Sequence, residues 1–298
     1  MRSFIVVNPA AGRGRARRVW ERVRPHLDRF GRWSGAVTEY PGHARELARA
    51  AAADGYARVV ALGGDGTVSE VVDGLAWSGS ALGVIPAGSG NDFGRSAGVP
   101  RDAVAAARLA LTGPVRSIDL GEIRSGGRSR HFVNVAGFGF DAEVARTANA
   151  LPKRFGGTLT YVLAVLRALR RCRPVAVRLE LDGRPLEREL LLAAVANGPA
   201  CGGGMLIAPN ARNDDGLFDV CLAGDLSRAE LVRLLPKMYS GGHAGHPKVE
   251  FHRCRELRAQ AGAPVGCQAD GELTGDLPAT FVLHPGGIPC VTPEPGRS

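Results

Sequence analysis

Leu62-Gly63-Gly64-Asp65-Gly66-Thr67-Val68-Ser69-Glu70 joins an apolar run, Arg58 to Leu62, to a helical pattern over Val68 to Leu75. A strand that turns on glycines directly into a helix start is an anion site. Glycines let the backbone approach a phosphate closely, and the helix start offers free N–H groups and the positive end of its dipole. Asp65 sits in the middle of that site. A turn needs no acid there, and a carboxylate repels phosphate unless a cation intervenes. Mg²⁺, or a proton to be removed, supplies the reason for it. The plain alternative is a tight strand-helix turn with Asp65 as a cap.

Outward from this stretch, short apolar runs alternate with helical patterns. Phe4 to Val7 reads as a buried strand stopped by Asn8-Pro9, Arg15 to Phe30 as a helix with Val19, Trp20, Val23 and Leu27 on one face, and Gly35 to Thr38 as a second strand. Ala44 to Asp54 is an alanine-rich helix ended by Gly55, and Leu82 to Ile85 is a further strand. This alternation predicts right-handed β-α-β units and an open parallel sheet.

After about Gly121 the helical crossovers thin out. Strands are expected at His131–Val135, Val175–Leu181, Glu189–Ala196, Phe218–Leu222 and Val249–Arg258, with Asp182-Gly183 as a hairpin turn and helices near Thr158–Arg171 and Ser227–Tyr239. The fold class is therefore α/β plus mainly β: an N-terminal open parallel α/β domain over 1–121, to which 286–298 returns, and a C-terminal β-sandwich over 122–285. At roughly 100–200 residues per domain, a chain of 298 residues fits two.

Composition limits the rest. Hydrophobic residues make up 45% and charged residues 22%, which excludes a disordered chain. The net charge of +9 attracts nucleotides, nucleic acid or acidic lipids without choosing among them. Aromatics at 6% leave no stacking stripe for single-stranded nucleic acid, so no nucleic-acid partner is expected. The six cysteines, Cys172, Cys201, Cys221, Cys254, Cys267 and Cys290, show neither a disulfide framework nor zinc spacing, which suits a reducing cytoplasm. There is no signal-peptide pattern, and no run approaches the ~20 apolar residues of a spanning helix. The longest apolar run, Leu190 to Ala196, fits a buried strand. Membrane association is expected to be peripheral.

Two further glycine turns follow predicted strands. Asn8-Pro9-Ala10-Ala11-Gly12 would leave room for a nucleotide at the carboxyl ends of the strands, where open parallel sheets bind ligands. In Ile85-Pro86-Ala87-Gly88-Ser89-Gly90-Asn91-Asp92-Phe93, Ser89 and Asn91 can bond phosphate or ribose, and Asp92 either caps the next helix or joins a water-and-magnesium network. No Walker A sequence, protein-kinase signature set or G-x-G-x-x-G fingerprint occurs, so the phosphate site is of another type.

Together the Gly-Gly-Asp-Gly-Thr stretch, the N-P-x-x-G turn and Pro-x-Gly-Ser-Gly-Asn-Asp-Phe resemble the soluble bacterial diacylglycerol kinase catalytic-domain family, lipid kinases related to sphingosine kinases. Gly-Gly-Asp-Gly alone is shared with NAD kinases. Pro209-Asn210-Ala211-Arg212-Asn213-Asp214-Asp215-Gly216-Leu217 resembles the family loop that holds a structural Mg²⁺. The resemblance implies Asp215 as carboxylate ligand with the carbonyls of Arg212 and Leu217, a set suited to a hard cation; a simple Asp-Gly turn is the alternative. Asp270-Gly271-Glu272 looks like the family D-G-E motif, which makes Glu272 the acceptor of the lipid hydroxyl's proton. Asn134 to Ala142 resembles the loop near the lipid, where Asp141 faces the acceptor head group or caps a helix.

The resemblance implies ATP and Mg²⁺ as cofactors and an active site in the cleft between the domains. Its nucleotide-binding residues are Asn8, Pro9, Ala10, Ala11, Gly12, Thr38, Gly63, Gly64, Asp65, Gly66, Thr67, Val68, Ser69, Glu70, Ser89 and Asn91. Asp65 and Glu272 carry the chemistry, with domain closure completing the site. The γ-phosphate would pass to a lipid hydroxyl, diacylglycerol to phosphatidic acid being the family default, at the inner face of the membrane where anionic lipid attracts the basic chain. Undecaprenol, glycolipids and long-chain bases stay open as acceptors, and so does a homodimer through edge strands. The rival readings are an NAD kinase-like enzyme and a basic binding module without activity.

Overall fold

Arg58-Val59-Val60-Ala61-Leu62-Gly63 is buried at every position, the mark of a strand covered on both faces. In the computed structural model, which describes residues 2–150, 163–165, 167–168 and 173–294, this strand is β3 and lies inside a parallel sheet. Its neighbours are β1 (Arg2–Val7) and β4 (Ala81–Pro86), and β2 (Arg32–Val37) lies beyond β1, in the order β2-β1-β3-β4. The pairings are parallel and in register, Val7 with Val37, Val7 with Leu62 and Leu62 with Ile85.

Helices α1 (Arg15–Val23), α2 (His43–Ala53) and α3 (Asp65–Leu75) connect these strands, and α4 (Asp92–Ser96) and α5 (Ala103–Thr112) follow β4. The core they form joins Ile5, Val7, Leu62 and Ile85 to Val23, Leu27, Ala107 and Leu111. The chain forms two units, Met1–Asp119 with Gly286–Ser298, and Leu120–Pro285. It leaves the first within β5 (Val115–Ser125) and returns within β16 (Ala279–Val291), where Cys290 pairs with Leu82 in parallel.

The helix expected over Arg15 to Phe30 is shorter than its apolar pattern. Pro25 lacks an N–H and restricts the residue before it, so the α-helix ends at Val23 and a 3₁₀ segment, Arg24–Arg29, carries Leu27 into the core. Helix α5 lies in an alanine-rich stretch without a strong apolar period. Its start is fixed by Asp102, whose carboxylate accepts from the amides of Val104 and Ala105.

The second unit is an antiparallel sandwich. One sheet contains β16, β13 (Glu256–Ala261), β8 (Val175–Leu181) and β9 (Arg184–Leu190). The other runs β12 (Val249–Cys254), β11 (Phe218–Ala223), β10 (Leu192–Ala196), β7 (Val135–Gly139), β14 (Gly266–Ala269) and β15 (Glu272–Asp276). Between the sheets, Phe132 on β6 (Arg128–Phe132) stacks on Phe218 at 5.7 Å, and Val220, Leu257 and Phe281 fill the same core. Ala193 and Val195 of β10 face this core, whereas Leu192, Ala194 and Ala196 face a second one with Val144 of α6 (Phe140–Ala150) and Leu231 of the helix Arg228–Met238. That double burial explains the apolar run ending at Ala196. Of the helix expected over Thr158–Arg171, residues 163–165 and 167–168 are helical, and the rest, like Cys172, lies outside the described residues.

Three stretches read as single strands are each two strands in different sheets. His131–Val135 divides into β6 and β7, Glu189–Ala196 into β9 and β10, and Val249–Arg258 into β12 and β13. Apolar content continues through the corner at Leu191, and distant carboxylates fix the other two. Asp182 accepts from the amides of Arg255 and Glu256, and Asp270 accepts from those of Val133, Asn134 and Val135. Asp182-Gly183 does form the β8–β9 turn, with φ of 47° and 81°.

Candidate active site

In the first unit, the loops after β1, β3 and β4 leave the carboxyl ends of parallel strands side by side. They pack backbone on backbone. A Cβ added to Gly88 would lie 2.4 Å from the Cα of Gly64, and one on Gly12, where φ is +58°, would lie 2.2 Å from the carbonyl oxygen of Ala87. Only glycine fits at these approaches.

Polar side chains then cross-link the loops. The Asn8 Nδ2 donates to Thr67 Oγ1 at 2.9 Å, and Asn8 Oδ1 accepts from the amide of Ala10. Within the third loop, Asn91 Oδ1 accepts from the Gly88 amide and its Nδ2 donates to the Gly88 carbonyl, to which the Arg15 guanidinium also donates. Asp65 joins the second loop to the third: Oδ2 accepts from the Asn91 amide and Oδ1 from the Asp92 amide, both at 2.7 Å. A carboxylate has about four lone-pair sites, so two remain for a metal-bound water or a hydroxyl.

The predicted nucleotide residues fall into groups. Asn8 to Gly12, Gly64 to Gly66, Ser89 and Asn91 are partly or fully exposed on the three loops. Thr38 follows β2, with its amide donating to the Val7 carbonyl at 2.8 Å. Gly63, Thr67, Val68 and Ser69 are buried, so beyond Asp65 the first turn of α3 offers main chain rather than side chains; its ladder begins only with Val68 N to Gly64 O at 3.1 Å. Glu70 turns away: its carboxylate accepts from the amides of Gly42 and Ala44 and holds the start of α2.

In the second unit, Asp270 and Gly271 form the β14–β15 turn with φ of 47° and 85°, and Glu272 is exposed on the first position of β15. Asp141 is no free cap. Its Oδ2 accepts from Gln268 Nε2 at 2.9 Å, and its Oδ1 is enclosed without a hydrogen-bond partner among the described residues. Burial lifts its carboxyl to about 7.

Asp215 Oδ1 accepts from the Leu217 amide, and Oδ2 pairs with Arg253. Asp219 lies beside it, its Oδ2 enclosed and 3.7 Å from Arg253 Nε. Burial, and secondarily the Asp215 charge, push the Asp219 carboxyl up, while Arg253 opposes this. Asp215 and Asp219 beside one guanidinium make an oxygen-rich acidic donor set of the kind a hard cation takes. The Arg212 side chain itself pairs with Asp214 at 3.1 Å. Arg253 carried no sequence signal, because the β11–β12 register alone puts it opposite Asp219.

Residues 2–123 match the Diacylglycerol kinase catalytic domain family, and residues 134–292 match the family described as YegS C-terminal NAD kinase beta sandwich-like domain. A protein of Mycobacterium tuberculosis named diacylglycerol kinase is 35% identical over 295 residues, covering 98% of this chain and 95% of that protein. The chain belongs to the diacylglycerol kinase family. A Bacillus subtilis family member of the same name is 32% identical over 94% of this chain and 93% of its own length. The family fold recurs in a crystal structure described as a diacylglycerol kinase from Bacillus anthracis, at TM-score 0.75 and 22% identity over 98% of this chain and 97% of that one.

Proposed function

We propose that the chain is an ATP- and Mg²⁺-dependent lipid kinase that transfers the γ-phosphate to a lipid hydroxyl, with diacylglycerol as acceptor and phosphatidic acid as product. The observation that carries this reading is the Asp65 bridge. It holds a carboxylate among glycine loops and helix-start amides that suit a polyphosphate. Phosphoryl transfer has a loose transition state, so positioning and charge neutralisation supply most of the catalysis. Bound Mg²⁺ would add neutralisation of the phosphate oxygens. The loop amides orient the phosphates, Asp65 orients the water or hydroxyl beside them, and Glu272 accepts the lipid hydroxyl's proton as the new bond forms.

Access to lipid is assigned to peripheral attraction at the inner face of the membrane. The net charge of +9 favours an anionic surface, and among the described residues no helix is long and apolar enough to cross a bilayer.

Radiolabelled ATP supplied with diacylglycerol, undecaprenol, a glycolipid, a long-chain base and NAD tests the reading. Label is expected in phosphatidic acid. Transfer to NAD alone, or to none of the acceptors, overturns it. Glu272→Gln is expected to lower kcat by about 10²–10⁴ with ATP affinity nearly unchanged.

A further inference from the structure

Glu272 starts β15, which among the described residues pairs with β14 alone, at the edge of its sheet. Its main chain is set by a two-residue turn, Asp270-Gly271, that follows a strand of four residues with a register shift between Cys267 and Gln268. A hairpin this short is marginal by itself. Asp270 anchors one side of the turn through the amides of Val133, Asn134 and Val135.

The other side is held by Gln268, which is 6% exposed. Its Oε1 accepts from the amide of Gly271 at 2.8 Å, and its Nε2 donates to Asp141 Oδ2 at 2.9 Å. Only the oxygen can accept an amide proton and only the NH₂ can donate to a carboxylate, so the two partners fix which way the side chain faces. Space for the contact is built in. Gly137 is the β7 register partner of Gln268. A Cβ there would lie 2.8 Å from Asp141 Oδ2 and 2.3 Å from the Ala193 carbonyl. A buried carboxylate is costly to keep, and here it terminates a chain of hydrogen bonds that ends one residue before Glu272.

We propose that Gln268 is a positioning residue for Glu272, tying the Asp270-Gly271 turn to Asp141 at the start of α6 so that the Glu272 carboxylate is held where it accepts the proton. The proposal rests on the reading of Glu272 as the proton acceptor. Displacing a catalytic group by ~1 Å can cost ~10²-fold in rate, so the anchor acts on kcat rather than on nucleotide binding.

The test is a four-way comparison of the full-length wild type, Gln268→Leu, Glu272→Gln and the double variant, reading kcat, KM for ATP and the thermal midpoint. Gln268→Leu keeps the approximate shape and loses both bonds, together with the long one from Nε2 to the Val135 carbonyl at 3.5 Å. It is expected to lower kcat by about tenfold or more with KM for ATP within about twofold, and to add no further loss in the Glu272→Gln background, since coupled residues are non-additive. If the leucine variant does not fold, Gln268→Asn replaces it in the same comparison, because its shorter side chain cannot span both partners. Full kcat in the Gln268 variant while Glu272→Gln is impaired overturns the positioning role alone, as does an equal fold-loss in both backgrounds. Full kcat in Glu272→Gln overturns the reading of Glu272 and the positioning role with it.

Discussion

The Asp65 carboxylate accepts the main-chain amide proton of Asn91 at 2.7 Å, across 26 residues of sequence. With the matching bond to the Asp92 amide, Asp65 caps α4 from another loop while standing in the phosphate turn. One residue therefore carries a structural load beside the chemical role proposed for it.

Asp65→Ala is expected to abolish turnover and also to destabilise the first unit by on the order of 2–4 kcal/mol, through two lost charge-assisted hydrogen bonds. Asp65→Asn, with one acceptor oxygen, should lose turnover but less stability. Urea titration beside steady-state assays separates the two roles. Unchanged stability in both variants would show that the amide bonds contribute nothing.

Close packing of the glycine loops predicts a sharp contrast between two alanine substitutions. In Gly88→Ala the new Cβ meets the Gly64 backbone at 2.4 Å, whereas at Gly262 nothing lies within 4 Å. Gly88→Ala should cost about 1–3 kcal/mol and weaken a fluorescent ATP analogue severalfold; Gly262→Ala should do neither. Equal behaviour of the two would remove the packing argument.

Asp215→Ala should reduce Mg²⁺ retained by the purified protein, measured by elemental analysis after gel filtration. It should also lower stability by about 1–2 kcal/mol, because Arg253 loses a partner. Equal metal content in wild type and variant would exclude the loop as a metal site.

Asp141 predicts a pH dependence. Its ordinary value of 3.8 rises to about 7 in the folded protein through burial. A raised pKa gives stability that is present below the unfolded value and lost as pH rises through the folded one. Asp141→Asn keeps an acceptor for Gln268 and removes the titration. The variant should therefore gain on the wild type between about pH 4 and about pH 7, by up to a few kcal/mol, and hold that difference above. Urea midpoints across this range check it; a constant difference would show that Asp141 does not titrate on unfolding.

The sequence by itself determined the parallel α/β layout, the antiparallel sandwich and the three glycine loops. Alternating apolar runs and helical patterns are local, and a glycine turn between strand and helix is legible wherever it occurs. What the tertiary structure decided is non-local. The sheet switches after Phe132, Leu190 and Cys254 depend on which distant strand each half pairs with. Glu70 looks like part of the phosphate turn until its carboxylate is seen on α2. Gln268 and Arg253 acquire meaning from partners that the fold brings within 4 Å, and Asp270 gains an anchoring role in the same way. Periodicity reports which face of an element is buried; it carries no information about which distant amide or carboxylate waits on that face.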